Sequence, residues 1–183
     1  MPALSDVQKA EMVEITRKWV ETLILGLNLC PFAKAPLLRE AVRFVVHDTD
    51  SMRGFVEAFC DEIDWLEQHP ETETTLMILP RLGERAHFLP FVQYCEETIV
   101  LNQWTADYQI VGFHPLARFE GLAPDSPQNL TGMAPLPVLH LLRVASVEAL
   151  GQAVKKDVQA ENDRILKKMS PSEVKRLWEK ILT

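Results

Sequence analysis

Residues 42–79 read VRFVVHDTDSMRGFVEAFCDEIDWLEQHPETETTLMIL, and this stretch decides the fold. Val42 to His47 is dense in β-branched and aromatic residues and reads as a strand. Asp50 or Ser51 then stands where a helix cap is needed. Met52, Phe55, Val56, Phe59, Cys60, Ile63 and Leu66 recur at the three- and four-residue steps of one buried helical stripe, which ends before Pro70. Thr74 to Leu79 is a second strand, closed by Pro80. Strand, helix, strand is the unit by which a small sheet is packed against helices.

The same alternation extends in both directions. Upstream, residues 5–26 predict a helix with Val13, Trp19, Val20, Leu23, Ile24 and Leu27 near one face, Ser5 or Asp6 as its cap, and Gly26, Asn28 and Pro31 as stop signals. Downstream, about Ala86 to Gln103 predicts a third helix with Phe88, Val92, Cys95 and Ile99 inward and Pro90 in its first turn, where a missing N–H costs least. Tyr108 to Phe113 predicts a strand that delivers His114 and Pro115 to its end. Between Pro115 and Pro137 the periodicity stops, with five prolines and two glycines. A loop of that length in a compact domain is uncommon and usually functional or disordered. Phe119, Leu122 and Met133 argue for an ordered loop laid over a site.

Val138 to Arg143 is too short and too apolar throughout to separate strand from helix by period. Ser146 is placed as the cap of a helix carrying Val147, Leu150 and Val154. Ser170-Pro171-Ser172-Glu173 is a capping box that opens an amphipathic helix with Val174, Leu177, Trp178 and Ile181. The expected fold is α/β (α+β): a three- or four-stranded sheet packed against helices, one domain over residues 1–183, an ordered proline-rich loop over about 115–137 and a helical tail over 146–183.

Composition narrows the classes of function. Nineteen basic against 26 acidic side chains give a net charge of −7, which does not supply the clustered cations that bind a phosphate backbone, so no nucleic-acid partner is expected. With 47% hydrophobic and 25% charged residues the chain reads as an ordinary folded domain. No apolar run approaches the ~20 residues of a membrane span, so no membrane partner is expected. Met1 to Lys9 lacks the basic and apolar regions of a signal peptide. Cys30, Cys60 and Cys95 are an odd number without short spacing, which argues against disulfides and points to a reducing cytoplasm.

Three side chains are candidates for catalysis: Cys30, His114 and His140. Cys60 and Cys95 fall on inward helical stripes, where a thiol fills space. Cys30 instead lies in a turn past a helix end, and reads either as turn packing between Leu27 and Phe32 or as a nucleophile. The negative end of the helix dipole would raise its pKa and oppose a ready thiolate. His114 ends a strand where a loop begins, and is either a fastener of that turn or a site residue. His140, within Leu139-His140-Leu141, is either a core histidine or an acid, base or ligand near neutral pH. Asp125 and Asn129 are candidate ligand-binding groups of the loop, or else turn-stabilising side chains. Arg143 is a third such group, which either pairs with Asp125 or holds an anion through its planar fork. His47 is expected at an exposed strand end, and Asp61-Glu62-Ile63-Asp64 on a solvated helix face. No metal-ligand spacing occurs, so none is assigned to a metal.

Three motifs stand in order along the chain. They are Gly26-Leu27-Asn28-Leu29-Cys30-Pro31-Phe32-Ala33, then Tyr108-Gln109-Ile110 with Phe113-His114-Pro115, then Pro135-Leu136-Pro137 with Leu139-His140-Leu141-Leu142-Arg143 and Ser146-Val147. On these the chain resembles, from Trp19 to about Leu150, a bacterial domain family of unknown function. The resemblance implies a single cytoplasmic α/β domain and no established activity. In that family's pattern a second acid stands at Ser126 and Asn-Arg-Ser stands at Gly132-Met133-Ala134. If that stretch meets an anion in the family, this member has a different ligand or a weakened function.

The sequence therefore supports three expectations. In the first, a small-molecule enzyme uses Cys30, His114 and His140 beneath the proline-rich loop. In the second, the chain is a non-catalytic interaction module that uses the terminal helix and Trp178. In the third, a metal or haem site is built from His114 and His140. Cofactor and oligomeric state are unknown at this level.

Overall fold

The computed structural model describes residues 2–149 and 152–183. Helix α1 runs Asp6–Trp19 under a capping box between Ser5 and Gln8, and continues as a π-helical turn over Val20–Leu25. Asn28 stops it in the left-handed region, φ 54°. The short α2, Lys34–Leu38, leads to strand β1, Val42–Val46. Helix α3, Met52–Gln68, is capped by Ser51, whose side chain accepts from the Gly54 N–H. It carries the chain to β2, Thr74–Ile78, and so supplies the crossover that a parallel pair requires.

Helix α4, Arg85–Leu101, precedes β3, Tyr108–Phe113. Pro90 lies in the second turn of α4, because the helix begins one residue earlier than the pattern suggested and its first turn is already complete. Gly112 is needed where β3 passes beneath α4: a Cβ there would stand 3.1 Å from both the Phe88 and Val92 side chains.

Val138–Arg143 is strand β4. It lies between β2 and β3, antiparallel to both, in a four-stranded sheet ordered β1-β2-β4-β3. The ambiguity of its sequence has a physical cause: Leu139 and Leu141 pack under α3 and α4, while Val138, His140 and Leu142 face the second cluster and a mostly apolar space, so both faces carry apolar residues and alternation is lost. Helix α5, Val144–Glu148, starts directly from β4 with Arg143 at its cap position, so Ser146 is inside the helix and caps nothing. Leu150 lies outside the described residues, as does the side chain of Val154. Helices α6, Gln152–Leu166, and α7, Pro171–Leu182, complete the expected helical tail, and the Ser170–Glu173 capping box forms in full.

The sheet separates two apolar clusters. On one face α3 and α4 bury Phe55, Phe59, Ile63, Leu66, Phe88 and Phe91 against Met77, Leu139 and Leu141. On the other, α1, its π turn and α7 bury Trp19, Leu23, Ile24 and Ile181 against Leu76, Ile78 and Val138. The segment 115–137 is ordered and contains a six-residue 3₁₀ helix, Pro127–Gly132. Asn129 organises it: its Oδ1 accepts from the Phe119 N–H at 3.0 Å and its Nδ2 donates to Ala123 O at 2.9 Å.

The expectations of an exposed strand end for His47 and a solvated helix face for Glu62 fail for one reason. Glu62 is buried beside β1, where Arg43 Nε donates to it at 2.8 Å and His47 Nε2 lies 3.2 Å from Oε1. Burial pushes the Glu62 carboxyl up, but His47 and Arg43 more than offset this and hold it below the usual range.

Candidate functional site

The helices leave part of the second sheet face uncovered. Over β3 and β4 there is a cavity of about 680 Å³. Its floor is the cavity-facing side of the sheet: Thr74 and Leu76 on β2, His140 and Leu142 on β4, Gln109, Val111 and Phe113 on β3. Trp19, Val20 and Ile24, at the junction of α1 with its π turn, close one side, and the turn Leu29 to Ala33 with α2 closes another. Residues 145–147 and Asn162 complete the wall, with Asn162 Nδ2 donating to Leu29 O at 2.9 Å. Most of the lining is apolar, as ligand pockets generally are. The charged pair at the rim, Arg39 and Glu73, is hydrogen-bonded to itself.

Cys30 and His140 line this same cavity, although 110 residues separate them in sequence. Burial pushes the Cys30 thiol up, outweighing the backbone N–H groups of Phe32 and Ala33 that favour the thiolate. His140 is held by Thr74, whose Oγ1 lies 2.6 Å from Nε2. The Thr74 hydroxyl donates its one proton to Leu141 O at 2.7 Å, so Nε2 must be the donor in the histidine contact. Nδ1 then carries the lone pair. It has no hydrogen-bond partner among the described residues, and the ring that bears it lines the cavity. Burial pushes the imidazole pKa down to about 4, so the ring is neutral at physiological pH. Among the described residues no hydrogen bond joins Cys30 to His140, so the two do not form a thiol–imidazole dyad.

The other candidates lie elsewhere. His114 is buried on the opposite face of the sheet, beside Phe88 of α4 with ring centroids 5.1 Å apart. Both its nitrogens serve the backbone: Nε2 donates to Leu82 O at 3.2 Å and Nδ1 accepts from the Leu116 N–H at 3.0 Å. Burial lowers its pKa, against the two carbonyls that favour the charged form. His114 fastens the turn that follows β3. Arg143 does not meet Asp125. Its Nε donates to Thr72 O at 3.0 Å and its Nη2 to Leu66 O, so it ties β4 to the C-terminal end of α3. Asp125 is exposed, and Asn129 is spent on the loop backbone.

The proline-rich loop contributes Thr131 to the cavity and little else of the lining. Ala134 is fully buried and Met133 partly buried in the second cluster, so the apolar stretch Gly132-Met133-Ala134 belongs to packing. The terminal helix is also core cover, with Val174, Leu177, Trp178 and Ile181 in that cluster. Among the described residues no three His, Cys, Asp or Glu side chains gather as metal ligands do.

Residue-level reading missed Thr74, Trp19 and Asn162. Thr74 carries no local signal, because its importance comes from a partner 66 residues away. Trp19 was legible as apolar helix surface, but not as the wall of a cavity.

Among the described residues no helix is long and apolar enough to cross a membrane. No curated protein and no solved structure matches the chain. A family model described as "Protein of unknown function (DUF1415)" matches residues 11–176, which span the sheet, the cavity wall and the first half of α7, and the chain belongs to that family.

Proposed function

We propose that this protein binds a small, largely apolar molecule in the cavity over β3 and β4, and that Cys30 and His140 are the polar groups that meet it. The observation that carries this reading is the pairing of volume with chemistry. About 680 Å³ is the size of a small-molecule pocket, and two titratable side chains, both held uncharged, open on one mostly apolar space. The only charged lining groups among the described residues, Arg39 and Glu73, are paired with each other, which favours an uncharged ligand, since a desolvated ion would need a partner. Thiolate catalysis has less support, because the Cys30 thiol is pushed up and has no base on it. Free thiols at Cys30, Cys60 and Cys95 fit a reducing cytoplasm, and net charge −7 gives no reason to invoke nucleic acid.

A panel of neutral one- and two-ring molecules, titrated into isotope-labelled protein, tests the proposal. The resonances of Cys30, Thr131 and His140 are expected to shift together while those of His114 stay. Leu142→Trp, which fills the floor, is expected to abolish those shifts without unfolding the chain. A panel that leaves the three resonances unmoved overturns the reading.

A further inference from the structure

We infer that the cavity selects an uncharged ligand through one hydroxyl or N–H group that donates to His140 Nδ1, and that Thr74 is the positioning residue that makes Nδ1 an acceptor. This rests on the small-molecule reading above and adds the class of ligand.

A short chain of groups fixes where each proton sits. Leu141 O can only accept, so the Thr74 hydroxyl, 2.7 Å away, spends its proton there. Thr74 Oγ1 therefore faces His140 Nε2, 2.6 Å away, with lone pairs alone, and the imidazole proton must sit on Nε2. One proton remains for a neutral ring, so Nδ1 has none. Low basicity in this buried setting keeps a second proton off at neutral pH.

The register of the sheet sets the ring that bears this lone pair on the cavity side. His140 pairs with Leu76 on β2 and Val111 on β3, and both line the cavity beside it. A ligand filling this space strips water from Nδ1, and an acceptor left bare in an apolar site is costly. A ligand with a donor restores the bond. A ligand with only acceptors does not, and a carboxylate sets a negative oxygen against a lone pair. Among the described lining residues the one cationic side chain is Arg39, and Glu73 already engages it. A site built to hydrogen-bond a ligand group discriminates strongly against the analogue that lacks it.

The full chain is titrated with 2-naphthol, 2-methoxynaphthalene and 2-naphthoate, which share one apolar body and differ in the polar group. Dissociation constants are read from the cavity resonances, and the histidine tautomer from nitrogen-15 spectra. Naphthol is expected to bind at least about tenfold more tightly than the ether or the carboxylate, the order of one hydrogen bond. The free protein is expected to show His140 protonated at Nε2 and bare at Nδ1. Thr74→Ser should keep both the tautomer and the preference. Thr74→Val should release the tautomer and bring the naphthol-to-ether ratio close to one.

A proton found on Nδ1 in the wild-type spectrum overturns the inference even if Thr74→Val fails to fold. An ether or carboxylate that binds the cavity as tightly as naphthol also overturns it, and leaves the small-molecule reading standing. If none of the three compounds moves a cavity resonance, both fall together.

Discussion

Trp19→Ala is expected to cost the fold about 3–5 kcal/mol, whereas Trp19→Phe is expected to cost less than about 1.5 kcal/mol. Trp19 is 1% exposed and packs edge-on to Phe113, with ring centroids 5.1 Å apart. It stands between the second apolar cluster and the cavity. Truncation would therefore join the vacated volume to an existing space, and the surroundings could not collapse to fill it. Phenylalanine keeps most of the ring contact. It also removes the indole Nε1, which is buried without a hydrogen-bond partner among the described residues. Losing an orphaned donor offsets part of the lost area. Urea unfolding of the two variants checks the difference. Because domains are stable by only about 5–15 kcal/mol, the alanine variant should stand near the edge of folding. Equal costs for the two substitutions would show that Trp19 does not bear on the cavity.

The second large effect concerns acid. His140 titrates near 4 in the folded protein against an ordinary 6.5, because burial disfavours the charged ring. Below pH 6.5 the unfolded chain takes up a proton that the folded protein refuses. The stability linked to His140 is thus complete above 6.5 and is lost as pH falls through about 4. At 1.36 kcal/mol per pH unit, the loss between pH 7 and pH 4.5 is about 2–3 kcal/mol. His114, also lowered by burial, contributes in the same window. Glu62 acts at lower pH, because its carboxyl is held below the usual range. His140→Phe should therefore flatten the upper part of the acid limb by that amount and leave the share of His114 in place. Urea midpoints at pH 7 and pH 4.5 measure it, and an unchanged slope would mean that His140 is not shielded from charge.

Much of the architecture was legible because local signals agreed. For α3, a cap at Ser51, a stripe from Phe55 to Leu66 and a stop at Pro70 all point to one helix, and the helix forms there. The Ser170 capping box is equally local and equally well formed. Where a reading depended on what lies across the chain, it was not available. β4 shows no alternation because one side packs under helices and the other meets apolar packing and a mostly apolar cavity, and Glu62 reads as a surface acid until β1 brings Arg43 and His47 against it. The π turn after Trp19 has no sequence mark that separates it from ordinary helix.

The site divides in the same way. Cys30 and His140 were recognisable as residues out of keeping with their surroundings, one in a turn and one in an apolar run. That they share a cavity and His114 does not is a matter of strand parity. Gln109, Val111 and Phe113 face the cavity, so His114 turns away, while the pairing of His140 with Val111 sets its ring on the cavity side. Parity within β3 can be read from the sequence. The β3–β4 register that relates it to His140 cannot.

If Cys30 and His140 bound one space that a small apolar molecule can occupy, an occupant must shield Cys30 from alkylation. Iodoacetamide modification of each cysteine is followed by mass spectrometry with and without 2-naphthol at about ten times its dissociation constant. The account predicts that the occupant slows Cys30 about tenfold, in proportion to the free fraction, and leaves the partly exposed Cys60 on α3 unaffected. A Cys30 rate that saturating naphthol leaves unchanged, or one that falls in step with Cys60, would contradict it.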